Sequence, residues 1–402
     1  MKSTYFSLFV TGVLFAGLFS ACKKDEITTF NTIKIPGTNA ISSDTIPAFA
    51  RGTLLTGKTY YITQDVTVKK GDTLYAQPGS TVIVKNNSQI NIQGVLQLEG
   101  TQDQPIFFNS DVNKPGTWGG FQCDTAQAVT IKWTHVDNTG GPDPSGSARR
   151  SVFVNAPINV DIEDSWFTNG QDDLMGLFHA TVTILRNTIS SSGSTDGEAI
   201  NLKSGVTGTV AYNVVYSQAG SGVKLETSKT APIPQTNVDV YNNTLVSNGW
   251  RRGAAEPGRG VSVGLNAKGN IFNNIIVNCY QGIEIFKDAD AANTFYGNNL
   301  FYAFVENYTD NTVTPNININ LRANFYPNDG VGKPQSTDLI SANVKNLNPA
   351  FVSFDGTVAS PNGAPNNYNF HLQDGSPAFG AGNAKYNADL GAYTTDGKGN
   401  KH

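Results

Sequence analysis

The stretch VYNNTLVSNG (Val240–Gly249) decides the fold, because it places an asparagine directly before a short apolar strand and the chain repeats that arrangement. The repeated asparagines are Asn187, Asn213, Asn243, Asn274 and Asn299. They lie 26, 30, 31 and 25 residues apart. A local pattern that recurs at this spacing indicates one structural unit stacked on copies of itself.

Each unit contains three short strands separated by turns. In the unit that begins at Asn237, NVDVYNN is followed by TLVSNG and, after a longer turn, by GRGVSV. Three strands in about 25 residues are typical of a parallel β-helix, whose coils stack about 4.8 Å apart. We expect two inward aliphatic columns, formed by Ile200, Val223, Val261 and Ile283 and by Leu202, Leu225, Val263 and Ile285.

The repeated asparagines are predicted to be structural. An asparagine at the bend between two strands lies above its counterpart in the next coil, so the side-chain amides hydrogen-bond in a ladder. Asparagine also accepts the left-handed backbone conformation that a sharp corner requires. We therefore expect an Asn ladder along the scaffold and assign these residues no catalytic role.

The composition agrees with a chain of short strands and tight turns. Only 15% of the residues are charged, against roughly 25% in ordinary globular proteins. The 41 glycines suit turns, since glycine tolerates backbone conformations that other residues avoid. A net charge of −4 argues against nucleic acid as a partner. Cys123 and Cys279 have no CxxC or His partner nearby, which favours buried free thiols over a metal site.

The N-terminus carries export and anchoring signals. Lys2, an apolar run and small residues predict a signal peptide over residues 1–21. Its end resembles the bacterial lipobox, which implies that Cys22 is lipidated and anchors the protein in the outer membrane. KKDE (Lys23–Glu26) resembles the surface-export signal of Bacteroidetes lipoproteins, which implies display at the cell surface. The alternative is a cleaved signal with an incidental cysteine. Residues 22–45 are predicted to form a flexible tether.

A second pattern occurs in the N-terminal coils, in GDTLYAQPGSTV (Gly71–Val82) and IQGVLQLEGTQDQPIFF (Ile92–Phe108). Near the other end, FHLQDGSPAFGAGN (Phe370–Asn383) has the character of a closing segment. These motifs resemble secreted bacterial right-handed β-helix proteins of the pectate-lyase-like superfamily. The resemblance implies an all-β fold, with a single right-handed parallel β-helix over residues 46–393 and a tail over 394–402. We expect a monomer.

The third strand of each unit presents the candidate ligand-binding face, because ligands in this superfamily commonly lie along one outward strand face. Its outward residues form two rows, Asn201, Lys224, Ser262 and Glu284 and then Lys203, Glu226, Gly264 and Phe286. The Lys and Glu side chains are suited to binding an acidic sugar. The alternative is that they form cross-strand ion pairs on a solvated sheet.

One stretch on this face resembles a known catalytic motif. DGEAINLKS (Asp196–Ser204) resembles part of the motif of the alginate-lyase and chondroitinase-B β-helix enzymes. The resemblance implies that Glu198 helps to hold Ca²⁺ against a substrate carboxylate while Lys203 removes the adjacent proton. The family's catalytic Arg on the following coil is absent, because Lys224 and Glu226 occupy that coil here.

The insertion NGWRRGAAEPGRG (Asn248–Gly260) is a second candidate site, because it lengthens a turn beside the same face. An exposed Trp250 is suited to stacking on sugar rings, and Arg251, Arg252 and Arg259 are suited to pairing with carboxylates or sulfates. The alternative is a decorated turn whose tryptophan packs on a neighbouring loop.

Two other turns are rich in charged residues. The first, Asp137–Ser151, contains Asp143, Arg149 and Arg150. The second, Asn169–Gly176, contains Asp172 and Asp173, and paired acids are found in Ca²⁺ sites and in hydrolytic pairs. No matched acid is apparent on an adjacent coil, so the pattern favours an ordinary acidic turn.

Together these patterns predict a cell-surface lipoprotein that binds polysaccharide. The predicted binding residues are Lys224, Glu226, Trp250, Arg251, Arg252, Arg259 and Glu284. One alternative is a Ca²⁺-dependent polysaccharide lyase with Lys203 as base and Glu198 as metal-binding acid, and a glycoside hydrolase is the other enzyme class in view. A structural or adhesive surface protein without catalysis is the remaining alternative.

Overall fold

The computed structural model describes residues 39–191, 193–228, 234–310, 315–341, 343–354, 356 and 368–402. The predicted signal peptide, Cys22 and most of the predicted tether lie outside the described residues. The described secondary structure is almost entirely β, with two short 3-10 helices at Ala291–Asn293 and Val344–Leu347. Within the described ranges, no helix is long and apolar enough to cross a membrane.

Each coil contributes three strands, and the strands of successive coils pair in parallel to form three sheets. The first sheet contains β1 (Gly52–Leu54), β4 (Thr73–Ala76), β7 (Val95–Glu99), β10 (Ala128–Lys132), β13 (Asn159–Glu163), β16 (Thr181–Leu185), β19 (Thr207–Ala211), β22 (Asn237–Tyr241), β25 (Lys268–Phe272) and β28 (Phe295–Gly297). The second contains β2 (Thr59–Ile62), β5 (Thr81–Val84), β8 (Ile106–Ser110), β11 (Thr134–Asp137), β14 (Trp166–Thr168), β17 (Thr188–Ser190), β20 (Val214–Tyr216), β23 (Thr244–Val246), β26 (Ile275–Val277) and β29 (Leu300–Tyr302). The third contains β3 (Val66–Val68), β6 (Ile90–Ile92), β9 (Phe121–Cys123), β12 (Val152–Asn155), β15 (Met175–Phe178), β18 (Ile200–Lys203), β21 (Val223–Glu226), β24 (Arg259–Gly264) and β27 (Gln281–Ile285).

Smaller elements complete the described fold. Two antiparallel pairs follow the last coil, and they are β30 (Asn307–Asp310) with β31 (Ile317–Asn320) and β32 (Phe351–Ser353) with β33 (Asn369–Leu372). At the other end, Ala40, Thr45 and Phe49 form parallel bridges to β1, β2 and β3 respectively. Residues 40–49 therefore extend the stack by one irregular coil.

The interior consists of aliphatic columns in the predicted register. Ile200 pairs with Val223, Val223 with Val261, and Val261 with Ile283. The Leu202 column pairs in the same way, and all eight side chains are buried. Burying each such side chain contributes roughly 2 kcal/mol, so the columns hold successive coils together. Cys123 and Cys279 are free and buried in this core, as predicted.

The predicted Asn ladder is confirmed. Four of the five amide oxygens, those after Asn187, accept from the backbone N–H and from the side-chain Nδ2 of the asparagine one coil earlier, at 2.9–3.0 Å. The ladder runs through Asn187, Asn213, Asn243, Asn274 and Asn299. All five residues are fully buried. The amides thus satisfy backbone groups that a sharp buried corner would otherwise leave unpaired.

The expectation that these asparagines adopt the left-handed conformation is wrong. The positive φ angles belong to the residue immediately before each of them, and these residues are Arg186, Tyr212, Asn242, Asn273 and Asn298. The corner therefore divides two tasks between neighbours: the first residue turns the backbone and the second pairs within the ladder. This division explains why the motif contains two consecutive asparagines in three of the five coils.

Residues 368–402, here called the closing segment, fold back along the outer face of the second sheet. Asn242 Nδ2 donates to the Asp389 carbonyl at 2.8 Å, and Asn273 Nδ2 donates to the Asn387 carbonyl at 3.0 Å. Phe370 and Leu390 pack in a second apolar cluster with outward residues of β20, β23, β26 and β29. The outward side chains of the left-handed corner residues thus help to hold the closing segment in place.

Candidate functional site

The outward rows of the third sheet have the register that the sequence predicts. Asn201 pairs with Lys224, and Lys224 pairs with Ser262, while Lys203 pairs with Glu226. Ser262 pairs in turn with Glu284. Because side chains alternate along a strand, these residues point away from the aliphatic core. The face is nevertheless well covered, since Asn201, Ser262 and Glu284 are buried.

Five charged residues on this face form one ion-pair network, which consists of Glu198, Lys203, Lys224, Glu226 and Arg252. Lys224 Nζ lies 3.3 Å from Glu226 Oε1 and 3.6 Å from Glu198 Oε1. Lys203 Nζ lies 3.2 Å from Glu226 Oε2, and Arg252 Nη1 lies 3.0 Å from Glu198 Oε1. The network thus joins predicted strand residues to one arginine of the insertion.

The other arginines of the insertion lie elsewhere. Arg259 Nε contacts Glu284 Oε2 at 2.6 Å, and neither belongs to the ion-pair network. Arg251 donates to the Ser191 carbonyl and to Ser194 Oγ, and burial lowers its pKa to about 10. Arg251 therefore ties the insertion to the preceding turns.

The expectation that Trp250 is exposed is wrong. Only 5% of the residue is accessible, and its indole N–H donates to the Asn278 carbonyl at 2.7 Å. Its ring packs against Tyr280 at 4.9 Å and edge-to-face against Tyr308 at 4.5 Å between centroids. The insertion is anchored by this tryptophan because a neighbouring aromatic pair provides an apolar slot that the local sequence does not reveal.

The expectation that Asp172 and Asp173 lack a matched acid on an adjacent coil is also wrong. Asp173 Oδ1 accepts from the backbone N–H of Glu198 at 2.9 Å. Asp173 Oδ2 accepts from Asn201 Nδ2 at 2.9 Å and from Arg150 Nε at 3.0 Å. Asp172, Asp173, Glu198 and Asn201, here called the carboxyl cluster, therefore lie together where two coils enter the third sheet.

The carboxyl cluster has strongly perturbed electrostatics. Burial, reinforced by the negative charge of Asp173, raises the pKa of Glu198 to about 7, although Lys224 and Arg252 oppose the shift. Burial and the same Asp173 charge raise the pKa of Asp172 to about 6. The side-chain oxygen of Asn201 is buried and has no hydrogen-bond partner. Buried carboxyls with shifted pKa values beside an unsatisfied polar atom are characteristic of functional sites.

Sequence reasoning named Arg150, Asp173 and Asn201 in separate stretches but did not bring them together with Glu198. The signal that could have done so is the repeat itself, because Asp173 and Glu198 are 25 residues apart, about one coil. No group of three or more His, Cys, Asp or Glu side chains is placed to hold a metal ion among the residues that the structure describes. The Ca²⁺ site stays a prediction.

The family model described as right handed beta helix region matches residues 119–300 of the chain. The match and the three parallel sheets confirm the predicted right-handed parallel β-helix and support the pectate-lyase-like superfamily. The matched range includes the ion-pair network and the carboxyl cluster. No curated protein matches the chain.

Proposed function

We propose that this protein is a lipid-anchored protein of the outer membrane, displayed at the cell surface, that binds an acidic polysaccharide on the outer face of the third sheet. The signal peptide, Cys22 and the KKDE stretch support the location. The rigid β-helix supports the binding role, since it presents side chains in rows that match an extended chain.

The observation that carries the proposal is the position of Glu198. Its carboxyl lies between two cations, Lys224 and Arg252, and beside Asp173 of the preceding coil. Removing a carboxyl from water in this way is costly, and a fold has no need of such an arrangement for its own stability. The cluster is therefore best explained by a ligand.

The cations provide the contact for an acidic sugar. Arg252 also pairs with Glu256 at 3.0 Å and with Asp196, and both of these side chains are 66% exposed. Exposed ion pairs contribute little stability, so a ligand carboxylate can replace either partner. The planar guanidinium then forms two parallel hydrogen bonds with that carboxylate. Glu198 of the network and Asn201, whose Nδ2 lies 3.5 Å from Glu198 Oε2, are the groups beside Arg252 that could bond sugar hydroxyls.

The proposal is tested by measuring binding of polygalacturonate, alginate and chondroitin sulfate to the wild-type protein and to Arg252→Gln. Loss of a charge-assisted contact predicts at least about tenfold weaker binding. Arg51→Gln is the matched control, because Arg51 is exposed and lies at the start of the first coil. Absence of binding to all three polymers, or equal affinities for the two variants, would count against the proposal.

Cleavage of the polysaccharide is a second candidate, favoured by the raised pKa of Glu198, which keeps a fraction of this carboxyl protonated near neutral pH. A lyase product is followed by the ultraviolet absorbance of its new double bond, with and without Ca²⁺, and a hydrolase product by its new reducing ends. Lys203→Ala abolishes the first activity if Lys203 is the base. Glu198→Gln abolishes the second if Glu198 is the acid. Absence of both products removes this candidate.

A structural or adhesive role is the third candidate. It is favoured by the pairing of every charged member of the ion-pair network with another member. Binding of an acidic polymer that depends on Arg252 separates the first proposal from this one.

A further inference from the structure

The outer face of the second sheet changes character along the stack. Under the closing segment its outward residues are largely apolar, and they include Val246, Ile275, Val277 and Leu300. On earlier coils the same two rows carry polar and aromatic residues, namely His135, Trp166 and Thr188 in one row and Asp137, Thr168 and Ser190 in the other. The change occurs where the apolar cover by the closing segment ends.

A cleft of about 480 Å³ lies at this boundary. It is lined by outward residues of β11, β14 and β17 and by Tyr216 of β20. Tyr368 and Tyr393 of the closing segment line it as well. A concave site of this size falls within the range of about 300–1,000 Å³ that is usual for small ligands, and it is unlike the broad surfaces used between proteins.

The aromatic side chains of the cleft are fixed by one another. The Trp166 ring is stacked between His135 at 4.1 Å and His402 at 3.8 Å between centroids. Tyr216 packs edge-to-face against Tyr368 at 6.1 Å. Because these rings are already held in place, a ligand does not have to pay the full entropy of ordering them.

The polar side chains that line the cleft, among them Asn109, Asn113 and Asn138, are also ordered in advance. Asn138 Nδ2 donates to Asn109 Oδ1 at 2.9 Å and to Asn113 Oδ1 at 3.0 Å. The Thr168 hydroxyl donates to the Asp137 carboxylate. Amides, hydroxyls and one carboxylate therefore line the cleft together with the aromatic side chains, which is the combination needed for a ligand with apolar faces and hydroxyl edges.

The charges in the cleft select against an anion. Among the described residues that line it, there is no Lys or Arg. Burial lowers the pKa of His135 and of His402 to about 4, so both rings are neutral at pH 7. Asp137 is the one acid among the described lining residues, and burial raises its pKa to about 6. An acidic sugar would find no cation here and would meet a carboxylate.

We propose that this cleft binds an uncharged oligosaccharide. The sugar ring faces pack on Tyr216, Tyr368 and Tyr393, and the hydroxyls bond to Asp137 and to the amides of Asn109, Asn113 and Asn138. The site lies on a different sheet from the ion-pair network and involves none of its residues. It therefore gives the protein a second glycan-binding surface, which takes a neutral rather than an acidic glycan. This inference does not depend on whether the third sheet binds an acidic polymer.

The test is isothermal titration of the full chain with cellohexaose, xylohexaose and mannohexaose, beside hexagalacturonate. We expect at least one neutral hexasaccharide to bind, and we expect Asp137→Ala and Tyr368→Ala each to weaken it by about tenfold. The matched control is Tyr61→Ala, because Tyr61 is an exposed tyrosine on the same face of the second sheet, two coils before Asn109, and lies outside the cleft lining. Circular dichroism of each variant verifies that it is folded.

Arg252→Gln separates the two sites, since it is expected to leave neutral-sugar binding unchanged. The inference is overturned if none of the three neutral hexasaccharides binds. It is also overturned if only hexagalacturonate binds, or if both cleft variants bind as tightly as Tyr61→Ala. Loss of neutral-sugar binding in Arg252→Gln would place that ligand on the third sheet instead.

Discussion

The Asn ladder makes the sharpest prediction for stability, at Asn243. Its amide oxygen accepts from the backbone N–H and from Nδ2 of Asn213, both at 3.0 Å. Its Nδ2 donates to the carbonyls of Val210 and Tyr241 and to Asn274 Oδ1, at 3.0–3.1 Å. Asn243→Ala removes all of these bonds from a fully buried position.

The size of the effect follows from which groups are left without a partner. Asn213 Nδ2 keeps its bond to the Ile184 carbonyl, and Asn274 Oδ1 still accepts from the Asn243 backbone. The backbone N–H of Asn213 loses its acceptor. An unpaired buried donor costs about 1–3 kcal/mol and the cavity adds to it, so we expect a loss of about 3 kcal/mol in the free energy of unfolding.

The assay is urea unfolding followed by circular dichroism and by tryptophan fluorescence. The control is Asn159→Ala, because Asn159 is an exposed asparagine at the start of β13. Substitution there should change the free energy of unfolding by less than about 0.5 kcal/mol. If the two variants were destabilised equally, the ladder would not be the stabilising element that its geometry implies.

Two further predictions concern the third-sheet side of the molecule. The pKa of Glu198 is raised from 4.5 to about 7, so its stabilising contribution is complete below the lower value and is lost as the pH rises to the upper one. As the pH rises from 4.5 to 7, the free energy of unfolding of Glu198→Gln should therefore increase relative to that of the wild type by on the order of 3 kcal/mol. If urea unfolding gave the variant and the wild type the same dependence on pH, the burial argument would be contradicted. Trp250→Ala should lower the free energy of unfolding by about 3 kcal/mol, as is usual for a buried tryptophan, whereas Trp250→Phe should lose less and leave binding of acidic polymers unchanged. If a fully folded Trp250→Phe variant bound acidic polymers more weakly, Trp250 would belong to the ligand site.

The coil could be predicted from the sequence because each coil contacts only its neighbours. The spacing between successive ladder asparagines, from Asn187 to Asn299, gives the number of residues per coil. Strand alternation then fixes which aliphatic side chains point inward. The rows that contain Lys203 and Lys224 follow from the same register. These features are local and periodic, so the repeated stretches of the VYNNTLVSNG type together contain the information for all of them.

Only the tertiary structure decided where the closing segment packs, that Trp250 is buried, and that the cleft exists. Asn242 and Asp389 are hydrogen-bonded although 147 residues separate them, and no periodicity connects positions so far apart. Trp250 is buried because Tyr280, from the next coil, and Tyr308, from β30 after the last coil, form its slot. The sequence by itself determined the scaffold, because each coil repeats the same short-range contacts. Which parts of the surface of the β-helix stay open depends on single contacts between distant segments. The sequence repeat carries no information about these contacts.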